Sequence, residues 1–72
     1  MDAYYVNNNR QESKDGLHNE VHKTGCYWLN KATNTTYLGY FSTCHGAIVE
    51  AKKRYPYSTD GCETCCPNCH NG

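Results

Sequence analysis

The sequence predicts a small α+β fold, with an antiparallel sheet of two or three short strands, one helix and a cysteine-rich C-terminal segment. Three observations carry that expectation. Two runs are aromatic and β-branched, Ala3–Asn7 and Thr36–Phe41. One stretch, from Cys44 to Tyr55, places apolar residues at helical spacing. Four of the six cysteines fall in the last eleven residues, in a chain of only 72.

Taken in order, Tyr4-Tyr5-Val6 is the heart of a first strand. Residues 8–19 are rich in Asn, Asp, Ser and Gly, and read as a mobile loop. Glu20-Val21-His22-Lys23 is a short extended segment leading into a Gly25-Cys26 turn. Tyr27-Trp28-Leu29 adds apolar area, expected close to that turn and against the helix. Asn30 to Thr36 turns the chain into the second clear strand. Ser42 or Thr43 offers an N-cap for the helix. The stripe Cys44, Ala47, Ile48, Ala51, Tyr55 supplies its buried face, and Pro56 stops it. Lys52, Lys53 and Arg54 fall where cations suit the helix dipole. Tyr57 to Gly61 reads as a turn that delivers the tail. With no repeat and no linker, residues 1–72 form one unit.

The apolar side of the ledger is thin. Leu17, Leu29, Leu38, Ile48, Val6, Val21, Val49 and Phe41 are all the large aliphatics and phenylalanine present. So small a core needs a staple, a metal or disulfides. The tail Cys62-Glu-Thr-Cys65-Cys66-Pro-Asn-Cys69-His70 contains two Cys-x-x-Cys units back to back. That spacing lets both thiolates of a turn face one cation, as in zinc knuckles. Upstream, His22-Lys-Thr-Gly-Cys26 is a His-x3-Cys pair, and together with two tail cysteines it completes a tetrahedral set. Spacing alone leaves the tail register open between Cys62/Cys65 and Cys66/Cys69, with His70 as a further donor. A disulfide framework is the competing staple. The histidines beside the cysteines, the adjacent pair Cys65-Cys66 and the absence of a secretory pattern favour zinc. Cys44, on the helix stripe, reads as a small buried hydrophobe, with a reactive thiol the less favoured role.

The order of strand, His22-x3-Cys26, strand, helix with inward Ala47 and Ala51, then Gly61-Cys62-x2-Cys65 resembles the small zinc-binding domain of Ada-type DNA-repair proteins. It also looks like a group of small bacterial proteins ending in Gly-Cys-x2-Cys-Cys-x2-Cys-His. The resemblance covers roughly residues 4 to 69 and implies His22, Cys26, Cys62 and Cys65 as zinc ligands. In the repair domain the first ligand is the cysteine that accepts a methyl group. Here that position is His22, so the resemblance does not extend to methyl transfer.

Charge narrows function. Seven Lys/Arg against seven Asp/Glu give a formal net charge of zero, without the basic excess of a general nucleic-acid binder. No apolar run is long enough to span a membrane, and a cytoplasmic, bacterial or phage-like accessory protein is expected. Seven Tyr and Trp28 exceed what so small a core can enclose. Tyr27, Trp28, Lys52, Lys53 and Arg54 are therefore candidate partner-binding residues, the partner being a protein. Nucleic-acid binding and thiol redox or metal handling are the alternatives. No catalytic constellation is present. Glu20 and Glu63 are the only bases near the metal motif, so a non-enzymatic zinc module is the expectation.

Overall fold

A computed structural model describes residues 1–13 and 16–70. Among the described residues there are five strands: β1 (Asp2–Asn7), β2 (Gln11–Ser13), β3 (Gly16–Lys23), β4 (Thr35–Phe41) and β5 (Thr59–Gly61). Two helices accompany them, α1 (Tyr27–Lys31) and α2 (Cys44–Lys52), with a 3-10 turn at Pro67–Cys69. β3 organises the sheet, pairing antiparallel with β1 and β2 and parallel with β5, while β4 pairs antiparallel with β1.

The class is α+β, but there are five strands rather than two or three. Two segments account for the difference. The polar stretch 8–19 was expected as a loop, yet on either side of Lys14 and Asp15, which lie outside the described residues, it forms β2 and the start of β3. Buried Asn19 explains how polar residues join the sheet. Its Nδ2 donates to the carbonyls of Asn7 (3.1 Å) and Asn8 (3.3 Å), and its Oδ1 accepts from Ser58 Oγ. A polar side chain thus does what an aliphatic one does elsewhere, because every polar atom it buries is bonded. Thr59–Gly61, expected as part of a turn, is held as β5 by the backbone of β3, with Asn19 opposite Thr59 and Val21 opposite Gly61.

Alternation along the strands separates two faces. Tyr4, Val6 and Val21 point to one, where α2 covers them with Ala47 and Ala51. Small helix residues let α2 lie close to the sheet. The helical stripe read from the sequence is the buried one, with Ile48 and Tyr55 packed at its margin. Thr43 is the N-cap, although its side chain makes no capping hydrogen bond. β4 contains a bulge: Tyr4 lies opposite Gly39 and Tyr5 opposite Tyr37, leaving Leu38 as the extra residue. Gly39 adopts φ +134°, which a side chain disfavours, and a Cβ there would meet the Phe41 ring at 3.1 Å. The bulge brings Leu38 and Phe41, three residues apart, to the same core while Tyr37 packs against Tyr5 on the other face.

A disulfide joins Cys44, in the first turn of α2, to Cys69 in the 3-10 turn. Cys44 is therefore neither a lone core thiol nor a free nucleophile. The staple is in part a disulfide.

Candidate metal centre

His22 lies on the sheet face opposite Val21 and one residue from the end of β3. Lys23 to Cys26 then form a tight turn, closed by the Cys26 N–H donating to the Lys23 carbonyl at 3.1 Å. Gly25 adopts φ +89° inside it, which explains why glycine precedes the cysteine. The turn folds Cys26 back over His22 and makes it the N-cap residue of α1. From the other side, the Cys62 N–H donates to the Val21 carbonyl (3.0 Å), extending the β5 pairing into the tail. The Cys66 N–H then donates to the Cys62 carbonyl (2.8 Å), curling 62–66 into a turn that returns Cys65 to the same point.

One donor atom from each of His22, Cys26, Cys62 and Cys65 lies within 4.8 Å of the other three, and the group can hold a metal ion. Three of its six edges are 4.0 Å or less. His22 Nδ1 is 3.8 Å from Cys26 Sγ and 3.9 Å from Cys65 Sγ, and Cys26 Sγ is 4.0 Å from Cys62 Sγ. Three of the four residues are buried and Cys65 is partly so. The backbone N–H of Lys23 donates to Cys65 Sγ at 3.3 Å, an interaction that favours a thiolate there.

Outer contacts orient the cluster. Nε2 of His22 lies 4.0 Å from the Glu20 carboxylate, beyond hydrogen-bond distance, while Nδ1 faces the sulfurs of Cys26 and Cys65. Glu20 itself is held above the usual carboxylate range, first by burial and then by Asp60 across the β3–β5 pair. Trp28 Nε1 donates to Thr64 Oγ1 at 3.1 Å, tying α1 to the 62–65 turn. Nothing in the sequence pattern singles out Thr64. The Glu20–His22 relation was readable from two-residue spacing on one strand, since alternate residues share a face.

The thiols form a coupled set. The Cys62 thiol is pushed up to about 11, first by its hydrogen bond with Cys65 and then by burial. For Cys65 the largest influence, a hydrogen bond with Cys62, pulls down. Cys66, burial and Cys26 together outweigh it and raise the thiol to about 12. Cys66 moves the other way, lowered chiefly by a hydrogen bond with Cys65.

The remaining candidates are placed elsewhere. Cys66 is buried with its sulfur 4.0 Å from Cys65 Sγ, yet it does not belong to the four-residue group. Cys69 is committed to the disulfide with Cys44. His70 Nδ1 lies 3.0 Å from the Gly61 carbonyl and 3.6 Å from the Asp60 carboxylate, so the ring fastens β5. Tyr27 and Trp28 are more than half exposed and Leu29 is partly so, and α1 buries no residue. They do not pack against α2 as expected: Trp28 lines a cleft together with Asn7, Glu20 and His22, so α1 lies over the opposite sheet face. Lys52, Lys53 and Arg54 lie exposed at the end of α2, so the five candidate partner residues do not form one surface. Lys53 pairs with Glu50 at 3.1 Å and Arg54 lies over the Tyr55 ring.

Fold and site together define a small cysteine-rich α+β protein with a Cys/His cluster able to hold a metal ion. Comparison with protein-family models, with curated proteins and with solved structures finds no match. Among the described residues no helix is long and apolar enough to cross a membrane.

Proposed function

We propose that the chain is a non-enzymatic zinc module that acts by binding a protein partner, with His22, Cys26, Cys62 and Cys65 as ligands. The observation that carries this reading is the size of the cluster. Zn–S bonds of about 2.3 Å and Zn–N bonds of about 2.0–2.1 Å in a tetrahedron require S···S edges near 3.8 Å and N···S edges near 3.6 Å. The separations of 3.8, 3.9 and 4.0 Å fit with adjustments of a few tenths of an ångström. Three sulfurs and one imidazole suit zinc better than a hard cation such as magnesium or calcium.

Four protein donors leave no open coordination position, which supports a structural role over a catalytic one. Glu63, one of the two possible bases, is largely exposed and directed toward His70. Structural zinc contributes on the order of 10 kcal/mol to folding, a large share for a core built from Tyr4, two valines, two alanines and three cysteines.

The partner surface we favour is α1, where Tyr27 and Trp28 stack edge-to-face with centroids 5.0 Å apart and Lys31 lies over Tyr27. Exposed aromatics held rigidly by a metal turn are suitable protein-interface anchors. The test is affinity capture with the wild-type chain and a Tyr27→Ala/Trp28→Ala variant that retains its metal. A protein bound by the first and lost from the second supports the reading. Equal capture by both, or capture only of nuclease-sensitive material, refutes it.

A further inference from the structure

We propose that reduction of the Cys44–Cys69 disulfide opens a second cation site, formed by Cys44, His45 and Cys69, for a borderline or soft divalent ion. One donor atom from each of these residues lies within 4.8 Å of the other two. None of the three belongs to the four-residue cluster. His45 neither packs in the core nor has an assigned place in the first site.

The backbone is already set for such a site. The Cα atoms of Cys44 and Cys69 are 6.4 Å apart. Rotation about the two Cα–Cβ bonds can therefore carry freed sulfurs to the roughly 3.8 Å that two thiolates on one zinc-sized ion require. Cys69 is held in place from behind, since its Cβ, carbonyl carbon and oxygen pack tightly against Gly61. Cys44 is fixed in the first turn of α2. His45 is exposed in that same turn, with a ring nitrogen already within 4.8 Å of both sulfurs. A surface cavity of about 410 Å³ lined by Cys44, His45, Cys65, Cys66, Tyr4 and Lys23, though not by Cys69, opens beside this position.

The chemistry balances with a dithiol reductant. Two electrons and two protons pass to the Cys44–Cys69 bond, giving two thiols, while the dithiol closes its own disulfide. A divalent ion then displaces the two thiol protons and takes two sulfurs and one imidazole nitrogen. Its fourth position stays open to water. A small-molecule disulfide reverses the sequence by thiol–disulfide exchange: it takes the two electrons and leaves as two thiols, Cys44–Cys69 closes, and the ion is released. The site is thus available only under reducing conditions, unlike the four-ligand cluster, which contains no disulfide.

Titration with cobalt(II) alone tests this, followed by thiolate-to-cobalt absorbance. Two forms are compared: the intact disulfide form, and the form reduced with dithiothreitol and then freed of it anaerobically. The expected result is one more ion per chain in the reduced form. His45→Ala, a change at an exposed position, should weaken that extra ion by more than the roughly 10- to 100-fold that losing an outer-shell partner costs. The same variant should leave the disulfide form's uptake unchanged. Equal uptake by both forms, or an extra ion indifferent to His45→Ala, overturns the proposal. Should the disulfide form take up no cobalt while the reduced form takes one that His45→Ala removes, the second site stands and the four-ligand reading falls.

Discussion

Gly61→Ala isolates the packing that delivers the tail to the metal cluster. A Cβ on Gly61 would sit 2.7 Å from the Cys69 Cβ, 2.8 Å from its carbonyl carbon and 2.9 Å from its oxygen. Ordinary contact begins near 3.4 Å, so neighbouring atoms must retreat by about 0.7 Å; two of them are backbone atoms and the third is the Cβ of a residue anchored to α2 by a disulfide, which cannot swing away. Overpacking of this kind costs roughly 1–3 kcal/mol, and the anchored backbone argues for the upper half. At roughly 4–8 °C per kcal/mol for a chain of this size, the melting temperature should fall by roughly 10–20 °C. Gly46→Ala is the matched control. Its Cβ would also meet an atom at 2.7 Å, but that atom is Phe41 Cδ1, on a partly exposed ring that can turn. Alanine inside a helix also recovers roughly 0.5–1 kcal/mol relative to glycine. The control should therefore stay within about 1 kcal/mol of wild type. Thermal unfolding of metal-loaded protein, followed by circular dichroism, measures both. Equal melting temperatures for the two variants would refute the argument that Cys69 backbone packing fixes β5 and Cys62.

Other consequences can be checked in the same preparations. Replacing both Cys44 and Cys69 with serine should cost about 3.5 kcal/mol from the loop entropy of a 25-residue separation. The urea midpoint of metal-loaded protein measures this, and an unchanged midpoint contradicts it. Asn19→Asp places a carboxylate against the Asn7 and Asn8 carbonyls and removes both donors. It should destabilise by roughly 3 kcal/mol or more, whereas a shift below about 1 kcal/mol by denaturant titration would mean that Asn19 does not hold the β2–β3 region. Metal loading should expel protons, because Cys62 at about 11 and Cys65 at about 12 stay protonated at neutral pH until a cation arrives. Affinity must then fall as pH drops from about 8 to about 6. Calorimetric titration in buffers of different ionisation enthalpy gives the proton count, and a count of zero would contradict the thiol assignments.

Local patterns made much of this fold legible. The α2 stripe was readable because each of its residues obeys the helical period, and β1 and β4 because aromatic and β-branched residues concentrate there. The His22 turn was readable because Gly25 and Cys26 state it directly. β2, the start of β3 and β5 escaped because their strand character comes from pairing with distant backbone and from the bonds of Asn19, not from residue preference. Tyr27 and Trp28 were misassigned to the α2 side because apolar side chains suggest a core. Here they sit on a five-residue helix, more than half exposed, one anchored by a polar bond to Thr64. The Cys44–Cys69 link joins residues 25 apart through a geometry that spacing cannot express.

Native mass spectrometry of the purified disulfide form, before and after chelation, tests the central claim most directly. The account predicts one zinc per chain, and loss of the folded charge-state distribution when the zinc is removed. A chain that is metal-free as purified, or that remains folded without its metal, would contradict the claim that His22, Cys26, Cys62 and Cys65 hold the structure together through an ion.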